Sequence, residues 1–153
     1  NQELEAAICK ELELSRQEFE ALKTREKSKL RARILFVDDE EDIADFTRYI
    51  ANEEGLEAES ARSADEAFTK AKAFKPDILC SDLHMPKGDG DELIKKLISS
   101  GECPSIKVYV GMTGSEDENN RLLSAGVREV LNKPFDLTAI ISSMRRWVEW
   151  ANG

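Results

Sequence analysis

The feature that most limits how this chain can fold is a recurring unit. Each unit is a short unbroken apolar run, a cluster of polar turn-formers, and an amphipathic helical stretch. Ile34–Val37 is the first such run, and it ends abruptly in Asp38-Asp39-Glu40-Glu41. Four apolar residues without alternation mark a strand buried on both faces, as in a parallel sheet covered by helices. Ile43, Phe46, Ile50 and Ala51 follow at helical spacing, with Gly55 placed to end the helix. A weaker strand near Leu56–Ser60 precedes Ser63-Ala64-Asp65-Glu66, a capping box opening a helix that turns Ala67, Phe68, Ala71 and Phe74 inward. Lys75-Pro76-Asp77 ends that helix and Ile78–Ser81 is the third strand. The turn-rich segment from Asp82 to Gly90 then leads into a helix covering Leu93, Ile94, Leu97 and Ile98.

Ile106–Met112 makes a fourth strand. Ser115-Glu116-Asp117-Glu118 reads as a second capping box, before a helix apolar at Leu122, Leu123 and Ala125. A short fifth strand spans Glu129–Asn132, and Asp136 caps a last helix bearing Leu137, Ile140, Ile141, Met144 and Val148. Five strands alternating with five helices through short, right-handed crossovers predict an α/β fold, a doubly wound five-stranded parallel sheet. The 153 residues suffice for one such domain, which buries roughly 70% of its unfolded surface.

The repeating pattern begins only after Arg33, so the expected division is a helical extension over residues 1–32 and an α/β domain over residues 33–153. Residues 2–30 contain no Gly or Pro, and opposite charges recur three or four apart (Glu13–Arg16, Arg16–Glu20, Glu20–Lys23, Glu26–Lys29). This predicts one long exposed helix. A heptad seam through Glu5, Ile8, Leu12, Ser15, Phe19, Leu22, Glu26 and Lys29 is apolar at only four of its eight positions. A coiled coil, a linker and a helix packed on its own domain all fit that pattern. Trp147 and Trp150 cannot both face the core beside Met144 and Val148, so a homodimer through the N-terminal or the last helix stays open as well.

Charge narrows the partners. The net charge is −9, and residues 1–30 hold 7 acidic and 6 basic side chains, leaving 24 and 16 to the rest. Such acidity repels phosphate backbones and argues against nucleic acid. No apolar run is long enough for a transmembrane helix, and the charged N-terminal stretch does not resemble a secretory signal. Cys9, Cys80 and Cys103 lack disulfide or zinc spacing and point to a reducing, cytoplasmic setting, with Cys80 a core residue.

In open α/β sheets, functional groups collect outside the carboxyl ends of the strands. Here those ends carry Asp38 and Asp39 (strand one), Asp82 (strand three), Thr113 (strand four) and Lys133 (strand five). Three carboxylates meeting at one edge repel one another unless a cation binds among them. Hard oxygen donors favour a divalent ion, Mg²⁺ in particular. A Lys and a Thr hydroxyl beside it would receive a phosphoryl group. Taken singly, each residue has a plainer explanation: Asp38 and Asp39 as helix caps, Asp82 as a turn residue, Lys133 as a solvated lysine.

VDDEED, SDLHMPKGDG, MTG and NKPF, in this order and at these strand ends, resemble the receiver domain of two-component response regulators over about residues 33–150. The resemblance implies the strand order 2-1-3-4-5. It implies that Asp82 accepts a phosphoryl group from a histidine kinase or a histidine phosphotransfer protein. By the same resemblance Asp38, Asp39, Asp82 and the backbone carbonyl of His84 hold Mg²⁺, while Thr113 and Lys133 contact the phosphoryl oxygens. It also implies a small residue at Gly114 for access, and a cis bond at Lys133-Pro134. One position departs from the family: Val130 stands where a switching Tyr or Phe is usual.

The expectation is therefore a signalling domain that catalyses only its own phosphorylation and dephosphorylation. A receiver module of a hybrid sensor kinase is one alternative. A metal-dependent phosphohydrolase with an aspartyl nucleophile is another, in which His84 would stand at the position of the second acid.

Overall fold

The computed structural model describes residues 2–11, 15–24 and 31–153. Its centre is a sheet of β1 (Arg33–Val37), β2 (Glu57–Ala61), β3 (Ile78–Asp82), β4 (Val108–Thr113) and β5 (Glu129–Asn132). The strands lie in the order β2-β1-β3-β4-β5 and every neighbouring pair is parallel. This is the doubly wound order expected.

The unbroken apolar runs have a direct explanation. Ile34, Phe36, Ile78 and Cys80 point into one core with α3 (Glu41–Glu53) and α7 (Leu137–Asn152). Leu35, Val37 and Leu79 point into a second core with α4 (Ala64–Phe74), α5 (Gly90–Ser100) and α6 (Asn119–Ala125). Alternate side chains of each central strand thus leave water on opposite faces, and polar residues enter only at the carboxyl ends of the strands, as at Ser81, Asp82 and Thr113.

Capping chemistry sets several helix starts. Ser63 accepts the Glu66 N–H at 3.1 Å and Asp136 accepts the Ala139 N–H at 2.7 Å, as expected. Ser115 makes no such bond. A single 3₁₀ turn, Glu116–Glu118, intervenes and α6 begins only at Asn119. Two apolar positions assigned to covered faces are half exposed, Ile98 and Leu123, both at 48%. Trp147 is completely buried, whereas Trp150 lies partly exposed beneath the Arg128 guanidinium, 3.9 Å from the ring centre.

The extension is not one continuous helix. It forms α1 (Gln2–Glu11) and α2 (Arg16–Thr24), with Ser15 outside both. Ser15 Oγ accepts the Glu18 N–H at 3.0 Å and Glu18 Oε1 accepts the Ser15 N–H at 3.3 Å. This reciprocal capping box starts a new helix. Ile8 and Phe19 are each 1% exposed within the α3–α7 core, so part of the extension is buried rather than solvated. Of the proposed heptad seam, Leu12, Glu26 and Lys29 and the side chain of Leu22 lie outside the described residues.

Candidate functional site

Sheet register assembles the site. Val37 pairs with Ser81, so Asp38 and Asp82 emerge side by side at one edge. Asp82 is level with Met112 and Thr113 with Asn132, which brings the ends of β4 and β5 to the same edge. The Lys133 N–H donates to the Thr113 carbonyl at 2.8 Å, fixing the lysine backbone beside the threonine. The Lys133-Pro134 peptide bond is cis.

Asp38, Asp39 and Asp82 each offer a carboxylate oxygen, and these oxygens lie within 4.8 Å of one another. Asp38 and Asp82 are buried while Asp39 is exposed. Asp38 Oδ1 accepts the Glu40 N–H at 3.0 Å, so it organises the turn into α3, although Glu40 itself is the N-cap residue. Its other oxygen, Oδ2, lies 2.6 Å from Lys133 Nζ, and the same nitrogen is 3.2 Å from Asp82 Oδ1. One ammonium therefore pairs with two carboxylates of a cluster of three, and the cluster is left with an excess of negative charge.

The electrostatics follow from that imbalance. Burial, and then the neighbouring Asp38 charge, push the Asp82 carboxyl up to about 6, against the opposing pull of Lys133. Burial works against the Lys133 ammonium too, but its hydrogen bond and charge interaction with Asp38 outweigh it, and its pKa is raised. A dense, partly buried set of hard oxygen donors short of positive charge fits a small divalent cation by donor type and by charge.

Thr113 is buried at the β4 terminus, its Oγ1 3.3 Å from the Ser115 N–H. Gly114 lines the cleft above the carboxylates, and nothing lies within 4 Å of where its Cβ would stand. The His84 ring is exposed and turned towards Glu118, with Nε2 2.5 Å from Oε2.

Several contributors escaped the sequence reading. Gly90 is one: a Cβ there would sit 2.0 Å from the Asp82 carbonyl oxygen, so only glycine lets the α5 start press against the Asp82 backbone. Arg121 pairs with Asp89 at 3.0 Å and Asp91 at 3.2 Å, tying α6 to the N-cap and first turn of α5. Leu4, Ala7, Ile8 and Lys10 of α1 line the same cleft as Asp39, Asp82 and Lys133. No local sequence signal marks these three features, because each depends on how separate elements pack against one another.

Comparison with known proteins agrees with this geometry. The family model described as "Response regulator receiver domain" matches residues 34–145. The response regulator GacA of Pseudomonas viridiflava is 35% identical over 116 residues, covering 74% of this chain and 53% of that protein. An uncharacterised 14.6 kDa protein of Leptolyngbya boryana is 32% identical over 117 residues, covering 74% of this chain and 88% of its own. The chain spans about half the length of some curated relatives, such as 49% of the KDP operon transcriptional regulatory protein KdpE of Escherichia coli K12. Among solved structures, the chemotaxis response regulator CheY4 of Vibrio cholerae superposes with a TM-score of 0.70 at 24% identity, covering 76% of this chain and 98% of that one. The fold, the carboxylate edge and these matches together show that the chain belongs to the response regulator receiver domain family of two-component signalling.

Proposed function

We propose that residues 33–153 act as a phosphoacceptor receiver, with Asp82 taking a phosphoryl group from the phosphohistidine of a histidine kinase or a histidine phosphotransfer protein. The observation that carries this reading is the Lys133 ammonium held between Asp38 at 2.6 Å and Asp82 at 3.2 Å, at the edge where Thr113 also ends. An Asp82 carboxylate oxygen attacks phosphorus as the bond from phosphorus to the donor nitrogen breaks. The electron pair leaves with the imidazole, which takes up a proton, and an acyl phosphate remains on Asp82. Lys133 neutralises one phosphoryl oxygen and the Thr113 hydroxyl donates to another. Little covalent help is needed beyond this positioning and charge neutralisation.

Asp38, Asp39, Asp82 and the backbone carbonyl of His84 are the residues that would hold Mg²⁺. When bound, the ion supplies charge neutralisation for the attacking carboxylate and the incoming phosphoryl group. The His84 ring stays paired with Glu118, and no feature of the site favours a phosphohydrolase over a receiver.

Residues 1–32 are assigned to a helical extension of this receiver. Because Ile8 and Phe19 are buried in the chain's own core, the extension is read as an intramolecular element rather than a coiled-coil dimer. The buried state of Trp147 argues the same way for the last helix. Three free cysteines fit a reducing, cytoplasmic setting, and the acidic charge weighs against nucleic acid. Among the described residues no helix is long and apolar enough to cross a membrane.

The test is incubation with Mg²⁺ and acetyl phosphate, read by intact mass for the parent and for Asp82→Asn. A single added phosphoryl group in the parent, absent from the variant, is expected. An unmodified parent that a panel of kinases also fails to label would overturn the proposal.

A further inference from the structure

The extension bears on how a phosphodonor reaches the site. Ile8 and Phe19 sit in the core that contains Phe46, Ile50 and Trp147. Buried Glu5 accepts the Tyr49 hydroxyl at 2.8 Å and pairs with Arg16 at 3.3 Å, so α1 and α2 share one polar tie to α3. From that seat Leu4, Ala7 and Lys10 wall a cleft of about 800 Å³, into which Asp82, Lys133 and Phe135 also face. Lys10 is exposed there, opposite an edge whose acidic side chains outnumber its basic ones.

We propose that the α1–α2 pair selects the phosphodonor by size. Small anionic donors enter the cleft and reach Asp82, while a protein-borne phosphohistidine reaches it only after the pair has left its seat. This rests on Asp82 being the phosphoacceptor. A histidine side chain delivers its phosphoryl group from a backbone element that must come close to Asp82, and a single helix is 10–12 Å across with its side chains. The ground such a helix would need beside Asp82 is already bordered by Leu4, Ala7, Ile8 and Lys10 of α1. An acyl phosphate or phosphoramidate fits with room to spare, and Lys10 offsets part of the acidic wall it must pass. The pair is seated through Ile8, Phe19 and the Glu5–Tyr49 bond and takes no part in the sheet's strand pairing, so it can leave without breaking the hydrogen-bond ladder.

The experiment uses the full chain and two variants that leave the site residues untouched, Phe19→Asp and Tyr49→Phe, singly and combined. Hydrogen exchange over residues 2–24 reports whether the pair has been released. Labelling at Asp82 is then followed with acetyl phosphate and with a panel of phosphorylated histidine phosphotransfer proteins. Expected is an unchanged acetyl phosphate rate together with protein-donor labelling raised at least about tenfold, or extended to donors that leave the parent unlabelled, because a donor's rate scales with the open fraction. Equal protein-donor labelling of parent and released variants, including none in either, overturns the selection. A parent that acetyl phosphate cannot label overturns the underlying phosphoacceptor reading instead. Should Phe19→Asp lose the fold, which loss of acetyl phosphate labelling would reveal, Tyr49→Phe removes a single hydroxyl and carries the comparison alone.

Discussion

Lys133 and Asp38 stand 95 residues apart in sequence, yet Lys133 Nζ lies 2.6 Å from Asp38 Oδ2. Asp38 is fully buried and the lysine side chain is 16% exposed. Removing one partner of a buried pair strands the other charge, at a cost of about 3–5 kcal/mol. Here the stranded group belongs to a cluster of three carboxylates, so the loss is felt by Asp82 as well. Lys133→Met is expected to lower the stability of the metal-free chain by about 3 kcal/mol. Added Mg²⁺ should recover more stability in this variant than in the parent. Denaturant midpoints with and without Mg²⁺ check both expectations.

The raised Asp82 carboxyl gives a pH prediction with a definite sign. Its folded pKa is about 6 against an ordinary value of 3.8. A carboxyl raised on folding contributes stability that is fully present below its unfolded pKa and is lost as pH rises through the folded pKa. Other carboxylates work the opposite way. Asp89 is held low by its hydrogen bond from Arg121, and Glu66 by the Arg62 backbone N–H. The contribution of Asp82 therefore has to be read as a difference. Without metal, Asp82→Asn should match the parent near pH 4 and exceed it by roughly 2–3 kcal/mol at pH 7. Thermal unfolding of both proteins across that range, in chelator, checks the prediction. A gap that narrows towards neutral pH would contradict it.

The carboxylate edge could be read from sequence because its logic is local to each strand end. A strand-like run that ends in or beside Asp38, Asp82, Thr113 or Lys133 needs only the knowledge that parallel strands align their carboxyl ends. The alternating partition of Ile34 and Phe36 from Leu35 and Val37 was likewise implicit in the unbroken run. What escaped depends on long-range contact or on competition between similar signals. Ser15-x-x-Glu18 is present in the sequence, but strong helix formers on both sides concealed the start it makes. Ser115-x-x-Glu118 has the same form and yields a 3₁₀ turn instead. The burial of Ile8 and Phe19, and the pressure of Gly90 on Asp82, belong to tertiary structure alone.

Two glycines separate rigid from yielding obstruction. At Gly90 a Cβ would meet the Asp82 carbonyl oxygen at 2.0 Å, backbone that cannot move without displacing Asp82. At Gly111 the obstacle is the end of the Leu122 side chain at 2.7 Å, which can turn aside. Gly90→Ala should cost about 3 kcal/mol and Gly111→Ala about 1 kcal/mol. Only Gly90→Ala should also slow acetyl phosphate labelling, since it shifts Asp82 itself. Chemical denaturation and intact-mass kinetics on the two variants make the comparison.

Val130 leaves β5 without the aromatic ring usual in the family, and the structure offers another physical link between β5 and α6. Asn132 Nδ2 donates to Asn119 Oδ1 at 2.9 Å, and Asn119 Nδ2 donates back to Asn132 Oδ1 at 3.2 Å. The same Asn132 amide lies 3.4 Å from the Thr113 carbonyl, so one side chain spans the end of β4, β5 and the first residue of α6. A reciprocal amide pair is lost whole when either member goes, so the two substitutions should not add. Asn119→Ala and Asn132→Ala are each expected to cost about 1 kcal/mol, and the double variant little more than either alone. A double-mutant cycle in denaturant measures that coupling directly. Exchange of the amides over residues 119–125 should rise in all three variants while acetyl phosphate labelling of Asp82 holds, because neither asparagine touches the carboxylates. Additive costs would mean that the pair does not act as a unit.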